Sequence, residues 1–499
     1  MIATFMEVID TSIASVALPY IAGSVSATTD EATWVLTFYL LSNAVILPAS
    51  AWFSLKFGRK RFLMTCIVIF TASSFACGAS TSLVMILLAR LVQGAGGGAL
   101  QPISQAILTE SFPPEKRGLA TAIFALGVVV APVLGPTLGG YLTDHYSWRW
   151  AFYINIPIGI LAFFMINKFV EDPPYIKNAK PGRLDSIGLG LLAVSLGFLQ
   201  LILDRGQEDD WFGAAWIRYG TVIMVGCFVA FIWWQLTNKK PLVDLTIFKN
   251  RNFALGCLLI FMFGAAIYGV VTLLPLYYQT LMGYSATAAG LAVSPRGLGA
   301  IVAMPFIGLL TSRIDNRWLI SCGFGIFAAC SFVLGHIYLG IAPSTMFWPV
   351  VISGSALGMV FVPLSTTALG DLPQEKIGNA SGLYNLMRNI GGSVGIAAVN
   401  TIVTRHEQAH RTEMARHLTS GSLAYQDQLH RLTQTMAAHA GPVIAMRRAY
   451  ASIQNTLTQQ AILSAYIDDF RYLAVACVAC IPFVLMLKKV VNKGQVGAE

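Results

Sequence analysis

Apolar runs of about 20 residues recur along the whole 499-residue chain, and no other feature limits its fold so sharply. A helix crossing the ~30 Å hydrocarbon core of a bilayer needs about 20 such residues. Fourteen stretches meet that need, at 2–23, 33–54, 62–82, 84–109, 118–142, 151–170, 186–204, 214–236, 253–280, 285–311, 318–340, 346–369, 379–404 and 467–488. Only 11% of residues are charged, against about 25% in soluble domains. In lipid the backbone must satisfy its own hydrogen bonds, so runs of this length form helices. The expected fold class is an all-α polytopic membrane protein with fourteen transmembrane helices.

The net charge of +9 is then a matter of loop orientation rather than nucleic-acid binding. Twenty of the 33 Lys and Arg fall in alternate connections, at Lys56/Arg59/Lys60/Arg61, Lys116/Arg117, Lys168/Lys177/Lys180/Arg183, Lys239/Lys240/Lys249/Arg251, Arg313/Arg317, Lys376 and Lys488/Lys489/Lys493. The other connections carry ten arginines and no lysine. Short basic loops stay in the cytoplasm, which puts both termini there. The apolar run begins at Ile2 with no basic stretch before it, so no cleavable signal peptide is expected, and a native start upstream of Met1 stays open. The eight cysteines all lie in apolar stretches and read as small buried hydrophobes, Cys477 and Cys480 included.

The chain also repeats itself. "FPPEKRGLA" (Phe112–Ala120) returns as "LPQEKIGNA" (Leu372–Ala380) at an offset of 260. "AWFSLKFGRK" (51–60) returns more weakly as "GLLTSRIDNR" (308–317) at an offset of 257. Both pairs sit at equivalent connections of two six-helix halves. That predicts halves at 1–170 and 253–499 with two inserted helices at 171–252. Duplicated halves around a midplane site are a recurrent transporter design.

Charges inside spans are expensive and mark functional or paired positions. Glu7 and Asp10 lie three residues apart in the first span, on one face by this reading. Arg90 lies in the fourth, with Gln93 three residues on. At 1.5 Å per residue, Asp10 sits roughly 12 Å and Arg90 roughly 20 Å from the cytoplasmic face, within reach of side chains or a water. Burial and a neighbouring guanidinium pull a carboxyl's titration in opposite directions. Glu7 and Asp10 thus read as proton-exchanging acids biased by Arg90, with a purely structural ion pair as the alternative. Span five, "GVVVAPVLGPTLGGYL", places Gly127, Ala131, Gly135 and Gly139 on one bare ridge fit for close helix packing. Pro132 and Pro136 should bend it. In the second half, Arg296 and Arg388 (next to Asn389) sit inside spans without an acid and are candidate substrate-cavity residues. Backbone carbonyls, lipid phosphate or an anionic substrate group would each satisfy them. With two acids against three arginines inside the spans, one acid neutralised by Arg90 and the other protonated, the cavity keeps up to two uncompensated positive charges. That favours lipophilic neutral or anionic compounds over dications.

These motifs, "IDTSIASVALP", "RLVQGAGGG", "GVVVAP…GPTLGG", "WRWAFYINIPIG" and "LILDRGQEDDWF", in this order resemble those of the fourteen-helix drug:proton antiporters of the EmrB/QacA type in the major facilitator superfamily. The likeness runs to about residue 405. It implies a major facilitator fold and proton-coupled export of hydrophobic drugs or toxic compounds by alternating access in a bacterial inner membrane. Export of a specific metabolite or siderophore is the alternative. The proton gradient would be the driving force, with no cofactor. The resemblance assigns proton coupling to Asp10, Arg90, Gln93 and Gly94. It assigns the antiporter signature to Gly127, Gly135, Pro136, Gly139 and Gly140. The gating loop after span two keeps Gly58, Arg59 and Lys60, but its usual acid is Leu55 and its first glycine is Ala51. Relatives of this type work with a periplasmic adaptor and an outer-membrane channel. The polar stretch 405–466, with five of the seven histidines (406, 410, 417, 430, 439), is the obvious place for that contact. His406 and His410 have metal-sharing spacing, though such faces are more often simply solvated. Outside this stretch only His145 and His336 occur, and there is no P-loop G-x-x-x-x-G-K-[ST]. A membrane-embedded enzyme and an ATP-driven pump are both disfavoured, as is a non-transporting scaffold.

Overall fold

The computed structural model describes residues 1–113, 116–177, 182, 184–238, 241–419, 421–437 and 441–488. Glu115, Lys180, Arg183, Lys239, Lys240, His439, Lys489 and Lys493 lie outside the described residues. All regular structure among them is helical: α1 (Ile2–Ser24), α2 (Thr29–Phe57), α3 (Arg59–Ala79), α4 (Leu83–Gly97), α5 (Leu100–Ser111), α6 (Arg117–His145), α7 (Trp150–Tyr153), α8 (Asn155–Phe169), α9 (Pro174–Lys177), α10 (Ser186–Arg205), α11 (Ala215–Thr237), α12 (Arg251–Thr280), α13 (Ala286–Val293), α14 (Pro295–Leu310), α15 (Asn316–Leu334), α16 (Pro343–Gly370), α17 (Gln374–Arg416), α18 (Leu423–Ala437) and α19 (Pro442–Leu485).

Local chemistry sets many of the boundaries. Thr28 and Glu31 form a reciprocal capping box at the start of α2. Asp185 caps α10 through the Gly188 amide and also accepts from Trp234 and Gln235, which ties α10 to α11. Gly58 ends α2 at φ +85°, a conformation that favours glycine.

Eleven helices are long and apolar enough to span, and α6 adds a twelfth if its two arms, bent by 41° at Pro132–Leu134, count as one. The expected fourteen is not reached on these criteria. The remaining segments, 379–404 and 467–488, are helical in α17 and α19. Their apolarity is diluted by Arg388, Asn379, Asn385 and Asn389 in one, and by Asp468, Asp469 and Arg471 in the other. Large apolar side chains on the periphery stay exposed, as Tyr219, Val222 and Trp233 do on α11, where lipid would cover them.

The helix pairings repeat. In the first set α1 packs on α6, α2 on α4, α3 on α4, and α3 on α8. In the second, α12 packs on α17, α14 on α16, α15 on α16, and α15 on α19. The sets meet where α6 touches α13, α14 and α16, and where α17 touches α2 and α5. α11 packs on α10, and α10 lies against α2, where the Thr37 hydroxyl hydrogen-bonds Asp204.

Candidate functional site

Two polar centres occupy the buried middle of the first set. The first surrounds Asp10. Its Oδ2 accepts from Arg90 Nη1 at 2.6 Å, and its Oδ1 accepts from Gln93 Nε2 at 2.9 Å and Asn155 Nδ2 at 2.6 Å. Arg90 also donates to Gln93 Oε1 and to the Val35 carbonyl, and its guanidinium stands 4.4 Å from the Tyr39 ring centre. Ser74 accepts from both Gln93 and Asn155. Asp10, Arg90, Gln93 and Asn155 are all 0% exposed. Gly94 lets α4 approach α2 here, since a Cβ would stand 2.3 Å from the Tyr39 carbonyl oxygen.

Glu7 belongs to the second centre, which corrects the reading that Arg90 biases both acids. Its Oε1 accepts from Asn43 Nδ2 at 2.9 Å, while Oε2 has no hydrogen-bond partner. The charges near enough to act on it are Arg388 of the other set and, more weakly, Asp10, and neither forms an ion pair with it. Glu7 lines a cavity of about 220 Å³ together with Asn43, Gln101, Tyr268 and Asn389. The cavity continues along Ser15, Leu36, Thr272 and Ile396, toward the face opposite the Lys/Arg-rich loops.

Toward the basic face the two sets close on each other. Arg388 hydrogen-bonds Gln101, and Asn385 donates to Gln105 Oε1 at 2.7 Å. A Cβ on Gly382 would stand 3.1 Å from the Leu47 carbonyl oxygen. Beyond this seam lies a second cavity of about 180 Å³ on the basic face, lined in part by Ser50, Arg59, Glu375 and Lys376.

The structure separates the three cavity candidates. Asn389 lines the larger cavity, whereas Arg388 and Arg296 line a small neighbouring one of about 30 Å³. Arg296 donates to Ser353 Oγ at 3.3 Å, and its Nη2 is unpartnered. The count of two acids inside the spans also needs correction. Asp204 falls within 186–204, and Asp468, Asp469 and Arg471 within 467–488; Asp469 is 1% exposed with neither oxygen partnered.

On the α6 ridge, Gly127, Gly135 and Gly139 face α1 of the same set. A Cβ on Gly135 would stand 2.2 Å from Ser12 Oγ, which donates instead to the Pro132 carbonyl at 3.0 Å. Gly140 and Pro136 face α13 across the interface. The loop after α2 is anchored within the first set. Arg59 forms a two-pronged pair with Glu110 at 2.9 and 3.1 Å and donates to Tyr175. Asp172 accepts from the Lys60 amide, and Lys60 Nζ reaches the Asn167 carbonyl. The acid missing at Leu55 is thus supplied from α5 and from the segment after α8.

Sequence reasoning missed Asn43, Ser74, Gln101 and Asn155. Their only signal is a polar side chain within an apolar run. His145 and His336 are exposed and make no catalytic set with other described residues.

The sequence profile described as Major Facilitator Superfamily matches residues 1–396. The chain is 38% identical over 414 residues to the multidrug export protein EmrB of Escherichia coli strain K12, covering 83% of this chain and 80% of that protein. It is 36% identical over 496 residues to the fatty acid resistance protein FarB of Neisseria gonorrhoeae, covering 99% and 96%. Among solved structures, the human organic anion transporter MFSD10 matches with a TM-score of 0.56 at 13% identity, over 95% of this chain and 98% of that one, a likeness of fold alone.

Proposed function

The chain belongs to the major facilitator superfamily and is a multi-pass membrane transporter, not an enzyme; on that footing we propose that it exports hydrophobic, drug-like amphiphiles across a bacterial inner membrane in exchange for protons. The observation that carries this reading is Glu7: an acid with one free oxygen on the wall of a cavity between the two sets.

With the basic face in the cytoplasm, the seam of Gln101–Arg388 and Gln105–Asn385 is the closed cytoplasmic gate, and the 220 Å³ cavity faces outward. A proton entering from outside reaches Glu7. Protonation removes a negative charge that attracts Arg388 across the interface, weakens the hold between the two sets at Gln101, and lets the cytoplasmic side open. Substrate then enters as the proton leaves, so the two occupy the cavity in turn. Asp10 and Arg90 hold α1, α4 and α8 together while this happens. Relatives named for multidrug export and fatty acid resistance support an amphiphilic cargo.

At 1.5 Å per residue, α17 is about 64 Å long, twice the hydrocarbon core. It therefore projects beyond the membrane with α18 and the start of α19. Leu423, Val443, Ile444 and Met446 are exposed on this excursion. We assign it to contact with a periplasmic adaptor that leads to an outer-membrane channel.

The test is transport by Glu7→Gln in proteoliposomes. Substrate counterflow without a gradient should persist, and uphill transport driven by a pH gradient should be lost. Gradient-driven transport at the wild-type rate would end the assignment of Glu7 as the proton carrier.

A further inference from the structure

We propose that His406, His410 and Asp468 form a binding site for a divalent transition metal of the zinc class, at the root of the excursion formed by the end of α17, α18 and the start of α19. None of the three takes part in the transport site.

The arrangement is already convergent. His406 Nδ1 lies 3.0 Å and His410 Nε2 2.8 Å from the same oxygen, Asp468 Oδ2. All three ligand atoms lie within 4.8 Å of one another. The histidines are one helical turn apart on α17, hence on one face, and the aspartate comes from α19. The His406 ring is further set edge-on against Tyr472, with ring centres 5.6 Å apart. Without metal, one carboxylate oxygen faces two imidazole nitrogens.

Two imidazoles and a carboxylate are a common zinc set, with bonds of about 2.0–2.2 Å and a fourth position left to water. A tetrahedral ion with such bonds holds its ligand atoms about 3.3 Å apart. The two carboxylate–imidazole separations need to widen by a few tenths of an ångström, and the two imidazole nitrogens, within 4.8 Å of one another, must settle at the same spacing, which side-chain rotations supply. The three side chains are 33, 34 and 25% exposed, so an ion has a path in and a water has room. Magnesium and calcium fit poorly, because they take mainly oxygen ligands.

Occupancy would bolt α17 to α19 across 58 to 62 residues of chain. The two roots of the excursion would be cross-linked, and its angle to the membrane fixed.

The test uses the full-length protein in detergent, stripped of metal and freed of any affinity tag. Zinc is titrated calorimetrically, and bound metal is counted after dialysis. The wild type should hold one zinc per chain. His410→Ala and Asp468→Asn should each bind about tenfold more weakly or worse, and the triple variant His406→Ala/His410→Ala/Asp468→Asn should bind none. His430→Ala, on α18, should behave as wild type. Unchanged binding in the triple variant, or no saturable binding in the wild type, would overturn the site. Cobalt in the wild type gives a readout that needs no variant: visible bands of tetrahedral intensity support the site, and the spectrum of hexaaqua cobalt alone overturns it.

Discussion

Asp10→Asn keeps the shape of the side chain and removes its charge, and the geometry around it sets the cost. All three groups that reach Asp10 are donors: Arg90 Nη1, Gln93 Nε2 and Asn155 Nδ2. Asparagine has a single acceptor oxygen. If that oxygen stays on Gln93 and Asn155, the new NH2 points at Arg90. If it turns to Arg90, the NH2 meets two amides. Either way a guanidinium that is 0% exposed loses its counter-charge. Removing one partner of a buried pair costs about 3–5 kcal/mol, and the Tyr39 ring, already 4.4 Å from the guanidinium in the wild type, offers no new compensation. We therefore expect Asp10→Asn to lower the melting temperature and the monodisperse yield of the solubilised protein. The double variant Asp10→Asn/Arg90→Met should recover most of the loss, since it leaves no unpaired charge. Glu7→Gln should melt closer to wild type than Asp10→Asn, because Glu7 makes no ion pair among the described residues and its hydrogen bond from Asn43 is worth about 1 kcal/mol. If Asp10→Asn melts like wild type, or the double variant is no better than the single, the buried pair is not what holds this centre.

Further expectations follow from the same coordinates. Gly135→Leu should remove folded protein, because its Cβ alone would lie 2.2 Å from Ser12 Oγ, whereas Gly127→Ala, with 3.5 Å to the nearest atom, should be tolerated in expression and transport. A Cβ on Gly378 would stand 3.9 Å from the Ala51 Cβ, inside the range for a disulfide. Ala51→Cys/Gly378→Cys should cross-link on oxidation, stop transport and recover with reductant; transport that survives complete cross-linking would show that this seam need not open. Neither Arg388 nor Arg296 has an ion-pair partner among the described residues, and Glu7 is the acid nearest Arg388 in effect. In everted vesicles a lipophilic weak acid should therefore compete better than a dication of similar hydrophobicity, and the reverse order would mean that Arg296 does not act on the cavity.

What the sequence disclosed and what it hid divide along physical lines. Helices are legible because lipid leaves a long apolar run no other backbone solution. The Asp10–Arg90–Gln93 cluster is legible because a charge at that depth needs a partner, and the fourth span offers a cation with an amide one turn away. Asn43, Ser74, Gln101 and Asn155 are another matter. Neutral polar groups are affordable in a span, and their partners depend on how each helix is rotated. The loop after α2 shows the same limit. Its usual acid is replaced by Leu55, yet Glu110 and Asp172 supply carboxylates from elements that sequence register does not bring together. The α6 ridge was legible as a close contact, but nothing in its spacing said that three of its glycines serve α1 and that Gly140 serves α13.

The separation of Glu7 from Asp10 is the step that matters most for function. Three residues advance a helix by about 300°, so the two side chains point about 60° apart rather than along one line. That angle is enough to aim Asp10 at α4 and α8 and Glu7 at α2, α5 and the cavity. A proton carrier must meet water on each side in turn. To take a proton, Asp10 would have to give up the Arg90 pair while fully enclosed, and α1 is held in place by the Gly135 and Gly139 contacts with α6. Glu7 keeps an oxygen without a hydrogen-bond partner and feels the charge of Arg388, which crosses the interface to Gln101. Changing its charge therefore acts directly on the contact that has to open. On the proposed mechanism the sealed acid is the hinge pin and the cavity acid is the carrier, and the contrast between Asp10→Asn in melting and Glu7→Gln in coupling tells the two apart.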